Sequence, residues 1–151
     1  MIQSLEPGDD LKTDPRGKPS VFDFGGWGDH RILTAATLCD LCVVPLYYQS
    51  TADMTACIKT VQTLQEYNKN IVILINNTQP SYILELKGFF KANFPTFPVF
   101  VVNPSKYINR MADEGKTVSD LFELGGLHKY ALRKLKPQLY SFYDYLDTFI
   151  K

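Results

Sequence analysis

The sequence predicts an α/β fold, a mostly parallel sheet of about four strands flanked by helices. Two observations carry this reading. Four short apolar runs are continuous rather than alternating, as in strands buried on both faces. Helical patterns fill the gaps between them, which makes consecutive βαβ units with right-handed crossovers. The length of 151 residues suits one domain with a substantial core.

Residues 1–19 are polar, with three prolines and two glycines, and read as a lead-in to a single α/β domain over 20–151. Ser20–Phe24 (SVFDF) is short, β-prone and bounded by Gly25-Gly26. It is the expected first strand. A helical pattern over 29–38 leads to a second strand, Leu41–Leu46 (LCVVPL). The next helix runs Thr51–Tyr67 and is capped by Ser50 or Thr51. Ile71–Ile75 (IVILI) is the strongest strand signal. Pro80 starts a helix over Ser81–Asn93, and Pro98–Val102 (PVFVV) is the fourth strand. Beyond Pro104 no strand pattern recurs. Short helices are expected at 105–114 and 117–124, and a long one at about 127–150, whose stripe includes Leu132, Leu135, Leu139 and Phe142.

Composition excludes several classes. Apolar residues make up 45% and charged residues 21%, the balance of a water-soluble globular protein. Sixteen basic residues cancel sixteen acidic ones, so no global charge points to nucleic acid or a membrane surface. No apolar run reaches the ~20 residues of a membrane span. The first residues lack the apolar core of a secretory signal. Three cysteines, an odd count, suit a reducing cytoplasmic compartment better than a disulfide framework. Cys39 and Cys42 have the spacing of half a zinc site, but no second pair completes it.

In parallel α/β sheets ligands sit beyond the carboxyl ends of the strands. Asp23 closes the first apolar run, and a carboxylate there can hold a magnesium-bound water. Gly26, in the turn that follows, permits close backbone approach; both residues equally suit a braced turn. Asn76 and Asn77 end the third run, where carboxamides can read a purine. Asn is also at home in a left-handed turn, with Thr78 capping the next helix. Asn103-Pro104 after the fourth run has the same two uses, since Pro104 can simply start a helix. Lys129, Arg133, Lys134 and Lys136, with Tyr130 interleaved, form a basic cluster that can meet phosphates or face solvent.

The stretch VFDFGGWGDHRILTAATLCDLCVVPLYYQ resembles the segment of ParA/MinD-type partition ATPases that begins at their Walker B aspartate. The shared pattern is Asp23, Gly26, Cys39-Asp40 closing a helix and Pro45 closing a strand. The helix, strand and Asn-containing turn of 51–78 continue it. FPVFVVNPSKYINRMADEGKTVSDL is similar to the family's late strand and following helix through Arg110, Gly115, Lys116 and Val118. The likeness covers about residues 20–124 and is nearest the plasmid-stability and conjugal-transfer branch. It implies a Rossmann-like P-loop NTPase architecture without the P-loop strand, and a partition or plasmid-maintenance ATPase domain. It implies ATP and magnesium as cofactors, with Asp23 on the metal and Gly26, Asn76, Asn77, Asn103 and Pro104 around the nucleotide. It also implies a homodimer or a missing N-terminal half, a partition partner protein, and nonspecific DNA met by Lys129, Arg133, Lys134 and Lys136.

The chain departs from the family at the phosphate loop. Only 22 residues precede Asp23, and no G-x-x-x-x-G-K-[ST] occurs anywhere. GGWGDHR lacks the lysine for the β/γ-phosphates and the hydroxyl for magnesium. The expectation is therefore an ATPase segment that is truncated or inactive by itself. The alternative is a non-enzymatic module that binds DNA or a protein through a sheet edge or the basic C-terminal helix. A response-regulator-like domain is disfavoured, because IVILINN ends without a phosphorylatable aspartate.

Overall fold

The computed structural model describes Leu11, residues 18–24 and residues 31–150. Three strands form one parallel sheet in the order β1-β2-β3: β1 is Cys42–Leu46, β2 is Ile71–Asn76 and β3 is Val99–Val102. Cys42 pairs with Ile71 and Leu46 with Ile75 across the first ladder; Ile73 pairs with Val99 and Asn76 with Val102 across the second. The chain is mixed α/β, with helices on both faces of a small parallel sheet.

Ser20–Phe24 forms no strand, in contrast to the sequence expectation. It alternates instead, with Val21 and Asp23 exposed and Phe22 and Phe24 half-buried. Val21 is 93% exposed. A strand exists only where its main-chain groups find a ladder, and among the described residues β1 pairs with β2 alone. Pro19 and the glycines beyond Phe24 leave a run too short to be extended by its own propensity.

The helices follow their end signals. Helix α1, Arg31–Leu38, ends where Cys39 N–H donates to Ala35 C=O at 2.8 Å. Helix α2, Thr51–Leu64, starts in a capping box: Ser50 N–H donates to the Asp53 carboxylate at 2.7 Å, while Asp53 N–H reaches Ser50 Oγ at 3.4 Å. Helix α3, Pro80–Asn93, carries its proline at N1. Helix α4 is Lys106–Glu114. Helix α5, Val118–Glu123, repeats the box with Thr117 and Asp120. The donated N–H groups hold the Asp53 and Asp120 carboxyls below the usual carboxylate range.

The long C-terminal helix of the sequence reading is two helices, α6 (Gly126–Leu132) and α7 (Leu135–Asp147). Pro137 explains the break. In a continuous helix it would withhold its N–H from the Arg133 carbonyl; in the first turn of α7 that missing donor has no intrahelical role. The apolar stripe survives the break, because Leu132, Leu135, Leu139 and Phe142 are all buried.

One face of the sheet buries Val44, Leu46, Ile71, Ile73 and Ile75 against α1, α2 and α3, through Ala36, Cys57, Val61, Leu64, Leu86 and Phe90. The other face packs Leu74 and Val102 against Val118, Leu121, Leu132, Leu135 and Leu139. Phe100 adds ring contacts to Phe142 and Tyr145 at 5.5 and 5.2 Å. This second layer covers β2 and β3 but leaves Val43 and Pro45 of β1 exposed. Asn68 ties α1 to the turn before β2, its Nδ2 donating to the Ala36 and Cys39 carbonyls at 2.8 and 2.7 Å.

Candidate functional site at the carboxyl edge

The carboxyl ends of β1, β2 and β3 bring Tyr47-Tyr48, Asn76-Asn77-Thr78 and Asn103-Pro104-Ser105 to one edge of the sheet. The β1–β2 ladder begins with Cys42 N–H on Asn70 C=O, and its alternation runs on to Tyr48 N–H facing Asn76 C=O. That last rung is not made directly. Thr78 Oγ1 accepts from Tyr48 N–H at 3.0 Å and donates to Asn76 C=O at 3.2 Å. A hydroxyl thus takes the place of the direct rung between the two strand ends. Thr78 is fully buried. It does not cap α3, whose N-cap is Gln79 with no side-chain cap bond.

On the β3 side the ladder continues normally, with Asn77 N–H donating to Val102 C=O at 3.1 Å. Asn77 itself is exposed at φ 52°, the left-handed turn conformation that asparagine tolerates. Asn103 N–H donates to Gln138 Oε1 of α7 at 3.0 Å, so the second helical layer seals the end of β3. Ser105 Oγ, rather than Pro104, receives the first donor of α4, from Tyr107 N–H at 3.2 Å.

Asn76 and Asn103 share one further feature. Each carboxamide Oδ1 is buried and has no hydrogen-bond partner among the described residues. A buried acceptor left unpaired costs about 1–3 kcal/mol, so Asn76, the last residue of β2, and Asn103, just beyond β3, each carry an unmet demand for a donor. Tyr82, in the first turn of α3, is exposed and meets Tyr48 edge-on at 5.2 Å, which adds an aromatic face beside the same edge.

The other expected site residues stand apart or outside the described set. Asp23 is exposed on the extended segment, in no strand. Gly26 lies outside the described residues, as does the side chain of Arg110. Among the described residues no group of three His, Cys, Asp or Glu side chains is placed to hold a metal ion. Sequence reasoning placed Tyr48 and Thr78 among the residues after strand ends without assigning them a role in a ligand site, and it missed Tyr82. Tyr82 lies in the first turn of α3, and no spacing in the sequence marks it.

In the basic cluster, Lys129 lies 5.4 Å and Lys136 4.1 Å from the centre of the Phe122 ring, and Arg133 sits 3.8 Å over Tyr130. Lys129, Arg133 and Lys134 are exposed. His128 presents its ring to Tyr107 at 5.9 Å, with Nδ1 buried and unpartnered. Burial pushes the Cys42 and Cys57 thiols up to about 11, and Cys39 is raised too. No helix among the described residues is long and apolar enough to cross a membrane.

No family model matches the chain, and neither a curated protein nor a solved structure matches it.

Proposed function

We propose that the carboxyl edge of the sheet is the base-binding half of a nucleotide site, in a ParA/MinD-like partition ATPase domain of Rossmann-like architecture that lacks its phosphate loop. The observation that carries the reading is the pair of buried, unpartnered acceptors on Asn76 and Asn103. A carboxamide offers an acceptor beside a donor, which matches the amino donor and ring-nitrogen acceptor of adenine. The hydroxyl of Thr78 joins the two strand ends in place of a direct rung. ATP would be held by its base alone, because the chain has no G-x-x-x-x-G-K-[ST] to cradle phosphates.

Calorimetric titration with adenosine and with magnesium-ATP tests this. The expected result is weak binding of both, with Kd on the order of 1 mM and a ratio within about threefold, and no ATP hydrolysis. Asn103→Ala should weaken both alike. Strong preference for ATP over adenosine would contradict the reading, as would silence from both ligands.

The exposed cations Lys129 of α6 and Arg133 and Lys134 at the α6–α7 junction favour a second reading, a nonspecific DNA contact. Its signature is a low-salt mobility shift of duplex DNA that is lost in an Arg133→Ala, Lys134→Ala double variant. A shift unchanged by that variant would remove the basic cluster from any DNA contact.

A further inference from the structure

The two outer strands of the sheet are not equivalent edges. On β1 the outward main-chain groups belong to Val43 and Pro45, and Pro45 has no N–H to offer. On β3 the inward groups are set by Ile73 N–H on Pro98 C=O and Asn77 N–H on Val102 C=O. The N–H and C=O of Val99 and Val101 therefore point outward, four consecutive groups that no strand pairs among the described residues.

A groove runs beside this edge, between β3 and α3. Leu84, Gly88, Phe97 and Val99 line it, and Lys87 and Lys91 stand on its rim. Leu84 is 83% exposed, an apolar side chain with no cover of its own. A Cβ placed on Gly88 would meet nothing within 4 Å, so the notch at Gly88 is open space. An edge with its full set of donors and acceptors, an apolar trough beside it and two cations on the rim are the parts of a strand-addition site.

We infer that the β3 edge receives an extended segment of a partner protein as an added strand, with apolar and acidic side chains alternating on the face that lies over the α3 groove. The main-chain groups of Val99 and Val101 supply the ladder. Leu84 and the Gly88 notch take the apolar side chains, and Lys87 and Lys91 select carboxylates over cations. This inference does not rest on the nucleotide reading, which concerns the carboxyl edge.

The probe is a capped octapeptide of threonine alternating with valine and glutamate in turn, so that valines and glutamates share one face. A control peptide carries lysine in place of glutamate. Titration is followed by fluorescence anisotropy and by amide hydrogen exchange of the full chain. The acidic peptide should bind at least tenfold tighter than the basic one and slow exchange at the Val99 and Val101 amides. Gly88→Leu, which fills the notch without a clash, and the Lys87→Glu, Lys91→Glu pair should each weaken binding about tenfold with an unchanged melting curve. Equal binding of both peptides, binding indifferent to these variants, or no binding would overturn the proposal. So would a concentration-dependent dimer that protects Val99 and Val101 without peptide, since the edge would then belong to a second copy.

Discussion

Phe90→Ala is expected to lower the free energy of unfolding by about 3–5 kcal/mol. Phe90 is fully buried on α3 and is the largest side chain at the centre of the layer that joins α2 and α3 to the sheet. Its ring meets Phe89 edge-on at 5.6 Å and Phe94 at 6.3 Å, and Phe94 stacks in turn on Phe97 before β3. Removing it leaves a cavity whose walls are β2 isoleucines held by ladders on both sides, so little collapse can offset the loss. Against a typical total of about 5–15 kcal/mol, this change brings the chain close to unfolding. Urea denaturation measures it, and a loss below about 1 kcal/mol would mean that the core is not assembled around α3 as described.

Thr78→Val is the second large effect, with an expected loss of about 2–4 kcal/mol. Valine matches threonine in shape, so packing changes little. It strands two main-chain groups at once: the Tyr48 N–H loses its acceptor and the Asn76 carbonyl loses its donor. Both face a fully buried side chain, where water cannot replace the hydroxyl. Thr78→Ser keeps the hydroxyl and should recover more than half of the loss. The same pair of variants separates stability from recognition. Ser should retain adenosine binding, and Val should lose it by letting the ends of β1 and β2 relax. A Val variant as stable as the parent would show that the rung is not routed through Thr78.

Much of the sheet was legible in the sequence, because continuous apolar runs have few alternatives in a chain of this size. Ile71–Ile75 was found within one residue of β2, and Leu41–Leu46 and Pro98–Val102 within one residue of β1 and β3. Ser50 or Thr51 was read as the cap of α2, and Ser50 takes that place in a box with Asp53. The SVFDF run misled because a strand is a property of a pair, and composition cannot say whether a neighbouring edge is offered. Pro137 carried a signal for the α6–α7 break that the reading of the leucine stripe did not use.

The carboxyl edge was legible in its positions and not in its physics. Asn76, Asn77 and Asn103 could be placed after strands by counting. Nothing in the sequence distinguishes Asn77, exposed in a left-handed turn, from Asn76, whose Oδ1 is buried without a donor. Burial is set by layers that are remote in sequence: Gln138 of α7 closes the backbone at Asn103, and Tyr48 is linked to Asn76 through a hydroxyl two residues beyond it. The role of Thr78 was misassigned for the same reason. A helix-cap reading uses only local spacing, and the partner that claimed its hydroxyl lies 30 residues away.

The central claim is that Asn76 and Asn103 present unmet hydrogen-bonding groups to a base. Side-chain amide resonances of asparagine report on this directly in a two-dimensional nitrogen–proton spectrum during adenosine titration. The account predicts that the carboxamide signals of Asn76 and Asn103 shift together along one binding curve, while that of Asn68, committed to the Ala36 and Cys39 carbonyls, stays still. Shifts confined to other residues, or none at saturating adenosine, would contradict it.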